Sequence, residues 1–207
     1  MLFPDNQQTR ARAAEIVKHG GVIAFRTDTF YGLGADPFNR AALQEIKRLK
    51  GREEKKPILV IMSDLDQIER LLAERSHTFD LLAERFWPGP LTLIGKAIPK
   101  IPDEATAGTA TIGVRLPDDD RVRVLVRVCG GVLTATSANP SNQAPATTAH
   151  EANSYFGDAI DLIVDGGAAQ HDLPSTVVDA CNNEPELIRA GVVPWSDIRS
   201  SIDDETE

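Results

Sequence analysis

The sequence predicts an α/β layered domain built on a mainly buried, mixed sheet. Three observations carry that reading. Short apolar runs alternate with segments of helical periodicity through most of the chain, as they do when helices cover a sheet. Glycine or proline punctuates most changes of period. No internal repeat and no interdomain linker breaks the alternation in the 207 residues, a length that fits one ordinary domain with a sizeable core.

Taken in order, Ala11, Ala14 and Val17 recur at intervals of three in a helix over 8–19, and Gly20-Gly21 stops it. The apolar run 22–25 is a buried strand, and 26–38 is a loop closed by Asp36-Pro37. Asn39 caps a helix through Lys50, with Leu43, Ile46 and Leu49 as its stripe and Gly51 as its stop. Pro57 lacks a ladder donor and so begins the strand P-I-L-V-I-M. Ser63 and Asp66 resemble a capping box ahead of a helix carrying Ile68, Leu71 and Leu72. Another helix covers 76–86, and the turn Trp87-Pro88-Gly89-Pro90 feeds the strand L-T-L-I-G-K. Residues 99–111 read as a loop, and 111–115 as a strand that leaves Arg115 at its end. A helix opened by 118–120 places Val122, Leu125, Val126 and Cys129 on one face. V-L-T-A-T (132–136) is a strand followed by the turn-rich S-A-N-P-S-N-Q-A-P. Then come a helix near 148–156, strands at 160–164, 176–179 and 186–189, and a short helix after Pro194.

Composition excludes several classes. No run approaches the ~18 apolar residues of a membrane helix. The N-terminus lacks the basic-then-apolar layout of a signal peptide. Cys129 and Cys181 lie far apart in apolar settings and read as reduced core thiols, not a disulfide or a metal pair. The expectation is a cytoplasmic protein with no membrane association. A formal charge of -9 argues against a protein that coats nucleic acid through its phosphates. The acidic end, 203–207, is expected to fray.

Against that acidic total, residues 47–56 hold Lys47, Arg48, Lys50, Arg52, Lys55 and Lys56, with only Glu53 and Glu54 opposing them. A polyanion such as a nucleoside triphosphate accounts for such a reversal. Favourable charge at a helix C-terminus explains Lys47 and Lys50, but not the cations beyond Gly51. Thr27-Asp28-Thr29-Phe30-Tyr31-Gly32-Leu33-Gly34 suits a small polar ligand and equally a turn with capping hydroxyls. Arg115 at a strand end suits a carboxylate clamp or a structural ion pair. Ser137-Ala138-Asn139 also sits at a strand end, where α/β sheets bind ligands, or forms an Asx-type turn ahead of Pro140. The phosphate-binding loop, dinucleotide, zinc-protease, C-x-x-C and nucleophile-elbow motifs are all absent.

These pieces occur together as T-D-T-F-Y-G-L-G, K-G-R-x-x-x-K-P, F-W-P-G-P-L-T, T-I-G-V-R-L-P, T-S-A-N, L-P-S-T-V-V-D and I-R-A-G, spread from about residue 10 to 195. In that order they resemble the YrdC-like family, the threonylcarbamoyl-adenylate synthases of TsaC type. The resemblance implies an open, twisted sheet with a concave ligand cleft. It implies a nucleotidyltransferase joining L-threonine, bicarbonate or CO2 and ATP with release of pyrophosphate. The product then serves threonylcarbamoyl modification of tRNA adenosine 37 by downstream tRNA-modifying enzymes, and direct tRNA contact stays open.

By the same resemblance, Lys50, Arg52, Ser137 and Asn139 are the catalytic set. ATP falls to Arg52, Lys56, Thr111, Ser137, Asn139 and Arg189. L-threonine falls to Thr29, Arg115, Ala135 and Ser175. Mg2+ accompanies ATP, and no protein-only metal site is expected. Some members have a histidine in the strand after the K-P motif, where this chain has Ile61. The short span after I-R-A-G implies the single-domain type, with a catalytic domain over 1–196 and an acidic tail over 197–207. Two other readings stand beside this one: an RNA-binding or ribosome-maturation module of the same fold, and an adenylating enzyme with a different substrate.

Overall fold

The computed structural model describes residues 1–51 and 56–203. Its first half comprises β1 (Leu2–Pro4), α1 (Gln7–Lys18), β2 (Ile23–Arg26), β3 (Tyr31–Gly34), α2 (Arg40–Lys50), β4 (Val60–Met62), β5 (Leu72–Glu74), α3 (His77–Phe86) and β6 (Leu91–Ala97). The second half comprises α4 (Asp103–Thr106), β7 (Thr111–Arg115), α5 (Asp120–Val128), β8 (Val132–Thr134), β9 (Thr136–Ser137), α6 (Ala149–Phe156), β10 (Leu162–Asp165), β11 (Thr176–Asp179), β12 (Glu186–Arg189) and α7 (Trp195–Asp203).

Helix ends follow local chemistry. Asn6 accepts from Thr9 N at 3.0 Å to open α1, and Asn39 accepts from Ala42 N at 3.1 Å to open α2. Asp119 caps α5, and Thr148 with Glu151 forms a capping box on α6. Gly51 ends α2 in the left-handed region at φ 56°. The buried stripe of α2 is Ala42, Leu43, Ile46 and Lys50. Lys50 therefore continues the apolar face by helical spacing and is carried inward.

The strands form two mixed sheets rather than one. One has the order β1-β10-β2-β3-β9, and the other β12-β11-β6-β7-β4-β8 with β5 added against β6. Pairs β1/β10, β2/β10, β6/β11 and β4/β7 are parallel, and the rest are antiparallel. The segment read as one strand over 132–136 belongs to both sheets, changing over at Ala135. Thr134 stitches the crossing. Its Oγ1 donates to Leu33 O at 3.0 Å and accepts from Ala35 N at 2.8 Å, while its own N–H bonds Ala35 O at 3.0 Å.

Other differences have local causes. Tyr31–Gly34, expected in a loop, is a fully buried strand paired antiparallel to β2. Two glycines in four residues hide the strand period in the sequence. Gly34 lies under Phe25, whose Cε1 would stand 2.6 Å from an added Cβ. The helix expected after Ser63 is a 3-10 turn at Leu65–Arg70 without a side-chain cap bond, followed by β5. Within 99–111, Asp103–Thr106 forms one helical turn. Helix α7 occupies 195–203, and 204–207 lie outside the described residues.

Two apolar clusters hold the sheets. One joins Tyr31, Leu33, Leu43, Ile46, Val60, Leu93 and Val114 under α2, α3 and α6. The other joins Ile23, Phe25, Ile61, Leu133 and Leu162 beneath α1 and α5. Each large side chain buried this way contributes roughly 1.5–3 kcal/mol relative to exposure. Among the described residues no helix is long and apolar enough to cross a membrane.

Candidate active site

A cleft of about 230 Å³ opens where β3 and β9 of the smaller sheet approach the ends of β4, β6 and β7 of the larger one. Lys50, Lys56, Arg115 and Arg189 line it, and none of its described lining residues is a carboxylate. On a chain of net charge -9 this is a concentration of positive potential suited to an anion.

One wall comes from the smaller sheet. The β2–β3 hairpin turns through 27–30, where Thr27 Oγ1 donates to Phe30 O at 2.7 Å and lies 3.1 Å from Thr29 Oγ1. Gly32 pairs with Ser137 across β3 and β9, and Ala138 N donates to Tyr31 O at 2.7 Å. The S-A-N loop is pinned from below by Lys50. Its ammonium donates to Ser137 O, to Asn139 O at 2.8 Å and to Asn139 Oδ1 at 3.4 Å. Asn139 Nδ2 is turned back to Pro140 O and Gln143 O at 2.9 and 2.6 Å. Lys50 and Asn139 thus shape the loop, and the Lys50 charge acts on the cleft from beneath it.

The opposite wall comes from the larger sheet. Arg115 ends β7 beside Ile61 of β4, its register partner. Arg115 and Asp28 are both buried, with Nη1 to Oδ1 at 2.9 Å, and Nη1 also reaches Thr29 Oγ1 at 3.3 Å. Arg189 Nη2 donates to Ser175 O at 2.8 Å and Ser175 Oγ at 2.9 Å, and Thr92 Oγ1 lies 2.9 Å from the same Ser175 Oγ. Gly191 lets this corner close, since an added Cβ would stand 2.2 Å from Pro174 O and 2.5 Å from Ser175 C. That contact is why the P-S-T and I-R-A-G segments occur together.

Of the residues singled out in the sequence, Thr29, Lys50, Lys56, Arg115, Ala135, Ser137, Asn139, Ser175 and Arg189 all line this one cleft. Thr111 is not brought in. It opens β7, at the opposite end from Arg115, and lies 2.9 Å from Thr109 Oγ1. Arg52 lies outside the described residues. Ser175 and Arg189, assigned by resemblance to different ligands, are bonded to each other. Sequence reading gave no role to Asp28 or Thr92. A threonine inside the apolar run L-T-L-I was the available signal for Thr92.

The thiols take no part in this chemistry. Cys129 and Cys181 are unpaired, and burial pushes both up to about 12, so they stay protonated near neutrality. Burial, then the Asp165 charge, raises Tyr31 to about 12, and its hydroxyl donates to Gly167 O at 2.7 Å. Among the described residues no group of His, Cys, Asp or Glu could hold a metal ion.

Fold and cleft define a class: a two-sheet α/β protein whose cleft gathers cations and hydroxyls and, among the described residues, no carboxylate. A family model described as telomere recombination, the Sua5/YciO/YrdC domain, matches residues 15–191, and the chain belongs to that family. A threonylcarbamoyl-AMP synthase of Pyrococcus abyssi is 35% identical over 190 residues, covering 92% of this chain and 56% of that protein. One of Thiobacillus denitrificans is 38% identical over 174 residues, covering 84% and 91%. Among solved structures, P. abyssi Sua5 complexed with L-threonine superposes with a TM-score of 0.94 at 32% identity, covering 98% of this chain and 61% of that one. E. coli YciO superposes at 0.83 and 27%, covering 94% and 97%. The chain spans little more than half the length of the P. abyssi synthase.

Proposed function

We propose that this chain is an L-threonylcarbamoyladenylate synthase, condensing L-threonine, bicarbonate or CO2 and ATP with release of pyrophosphate. The observation that carries the reading is the cleft itself: four cations and no described carboxylate, with a buried arginine fork at one end. Relatives that bear the synthase name, and a solved relative holding L-threonine, support it.

In this reading the threonine carboxylate meets Arg115 and its polar groups meet Thr29, Ser175 and the backbone at Ala135. The amine adds to CO2, loses a proton to solvent and becomes a carbamate. A carbamate oxygen attacks the α-phosphorus of ATP. The new P–O bond forms as the bond to the β-phosphate oxygen breaks, and pyrophosphate departs. Anion must approach anion, so Lys56 and Arg189 neutralise the phosphates, with Lys50 adding its field from under the loop. Arg52, outside the described residues, joins them only as the family resemblance of K-G-R implies. Ser137 hydrogen-bonds the phosphate region, and Asn139 holds the loop that presents it. Thr111 has no place in this part of the cleft. No enzyme nucleophile is needed, so positioning supplies most of the rate. Mg2+ would arrive on ATP, because magnesium relies readily on phosphates and water and the described cleft offers it no carboxylate.

The adenylate would pass to enzymes that modify adenosine 37 of tRNA, and a cytoplasmic reaction is part of the same proposal. Pyrophosphate release should be measured with ATP, threonine and bicarbonate each supplied and withheld. Release that needs all three is expected. Release with another amino acid alone would keep the mechanism and change the substrate. No release, with RNA retained at low salt, would replace this reading with an RNA-binding module.

A further inference from the structure

The T-D-T-F turn holds a carboxylate that no ligand would touch. Asp28 is 2% exposed and does not line the cleft. Its Oδ1 lies 2.9 Å from Arg115 Nη1, yet off the line of a hydrogen bond, so that oxygen accepts none. Its Oδ2 receives one long bond, 3.4 Å from Asp118 N. Buried carboxylates are ordinarily well bonded, and one left short of partners costs folding free energy.

Arg115 accounts for it. A guanidinium only 4% exposed needs a counter-charge, and Asp28 supplies one from behind. The 2.9 Å contact with Asp28 is made at Nη1, which also reaches Thr29 Oγ1. Among the described residues nothing in the protein bonds Arg115 Nε or Nη2. That edge is the one arginine uses to grip both oxygens of a carboxylate. Elsewhere in this chain Arg10 holds Asp5 by Nε and Nη2 at 2.6 and 2.7 Å, and Arg48 holds Glu45 by the same atoms at 2.7 and 2.6 Å. Arg127 holds Asp64 likewise at 3.1 and 2.6 Å. On Arg115, which lines the cleft, the same edge has no bonding partner among the described residues.

We infer that Asp28 is a positioning residue: it anchors Nη1 of Arg115 so that the Nε/Nη2 edge stands fixed in the cleft as a two-donor fork for the substrate carboxylate. The inference rests on the proposed role of Arg115. It also joins the two sheets at the cleft floor, because Asp28 sits in the β2–β3 turn and Arg115 ends β7.

The test compares wild type, Asp28→Asn, Arg115→Met and the double variant. The isosteric Asp28→Asn should raise KM for threonine roughly ten- to hundredfold, the scale of a misplacement of about 1 Å, while KM for ATP stays within a small factor. The double variant should be no worse than Arg115→Met alone, since Asp28 acts only through Arg115. Equal changes in both KM values, or a double variant worse than Arg115→Met, would overturn the inference. If Asp28→Asn does not fold, the double variant, which removes both buried charges, should fold again; failure to do so also counts against it. A readout independent of turnover separates this from the proposed function. The slowed-rotation nitrogen-15 signals of the Arg115 Nη protons, identified by their loss in Arg115→Met, should vanish in Asp28→Asn. Their persistence would overturn the positioning role even if wild type turned over no threonine, and their loss would support it in the same case.

Discussion

Two arginine–aspartate pairs, one buried and one partly buried, flank the β2–β3 turn, and they do different things. Arg26 pairs with Asp119, and Arg115 pairs with Asp28 two residues further along the turn. Both span from the smaller sheet to the segment around β7 and α5. Asp119 is fully used: Oδ2 takes Arg26, and Oδ1 caps α5 by accepting from Arg121 N at 2.9 Å and Val122 N at 3.3 Å. The void beside Arg26 is about 10 Å³, room for at most about one water. Arg115 instead faces a cleft of about 230 Å³ with two donors uncommitted among the described residues. Residue type and charge are alike in the two pairs; Arg26 is only partly buried, and its Nε is unbonded among the described residues, but it has no comparable space in front of it. A binding site is distinguished by donors left over together with space in front of them.

The sharpest way to break this contrast is to remove each arginine. Arg115→Met should lower threonine-dependent pyrophosphate release by at least ~100-fold, the scale of removing the charged partner of a bound carboxylate. Arg26→Met should instead lose about 3–5 kcal/mol of stability in a denaturant titration, by stranding a buried charge, and keep near-normal turnover per folded molecule. Turnover lost in a folded Arg26→Met protein would erase the distinction.

A second group of changes asks whether the walls respond separately. Gly191→Ala pushes a methyl against Pro174 O and Ser175, at 2.2 and 2.5 Å. It should cost about 1–3 kcal/mol and reduce kcat/KM further than that stability loss explains. Thr134→Val removes the stitch between sheets and leaves Ala35 N unsatisfied, costing about 1–3 kcal/mol by thermal melting. Its substrate constants should hardly change, because Thr134 does not line the cleft.

The smallest effect concerns Tyr31, whose hydroxyl donates to Gly167 O. Its folded pKa of about 12 lies above the ordinary value near 10. The stability from its neutral hydroxyl is therefore present below pH ~10 and lost as pH climbs toward ~12. Tyr31→Phe should cost ~1 kcal/mol at neutral pH through the lost bond to Gly167 O, and flatten that part of the alkaline decline. Cys129 and Cys181 shift in the same direction and remain in both proteins, so the difference between the two melting curves is the quantity to read.

The sequence made the site more legible than the strands that build it. Asn39, Gly51 and the stripe Leu43, Ile46 and Leu49 announce α2 by local rules, but the structure buries Lys50 and leaves Leu49 half-buried, and the spacing does not announce the inward lysine. The ordered loops at strand ends likewise named most residues of the cleft. Tyr31–Gly34 stayed hidden because its glycines answer to Phe25 and the neighbouring strand, contacts that sequence spacing does not report. The division into two sheets depends on Thr134 bonding Leu33 and Ala35, about a hundred positions away, and on Ala135 N bonding Leu59 O. Asp28 was visible as a letter in T-D-T, but its task depends on a distance to Arg115 across 87 positions, and only the fold supplies that.

The most direct measurement is a calorimetric titration of L-threonine into wild type, Arg26→Met and Arg115→Met, all held below their melting temperatures. The account predicts matching binding in wild type and Arg26→Met and none in Arg115→Met. Undiminished binding to Arg115→Met, or its loss in folded Arg26→Met alone, would contradict the assignment of the open guanidinium edge as the substrate's anchor.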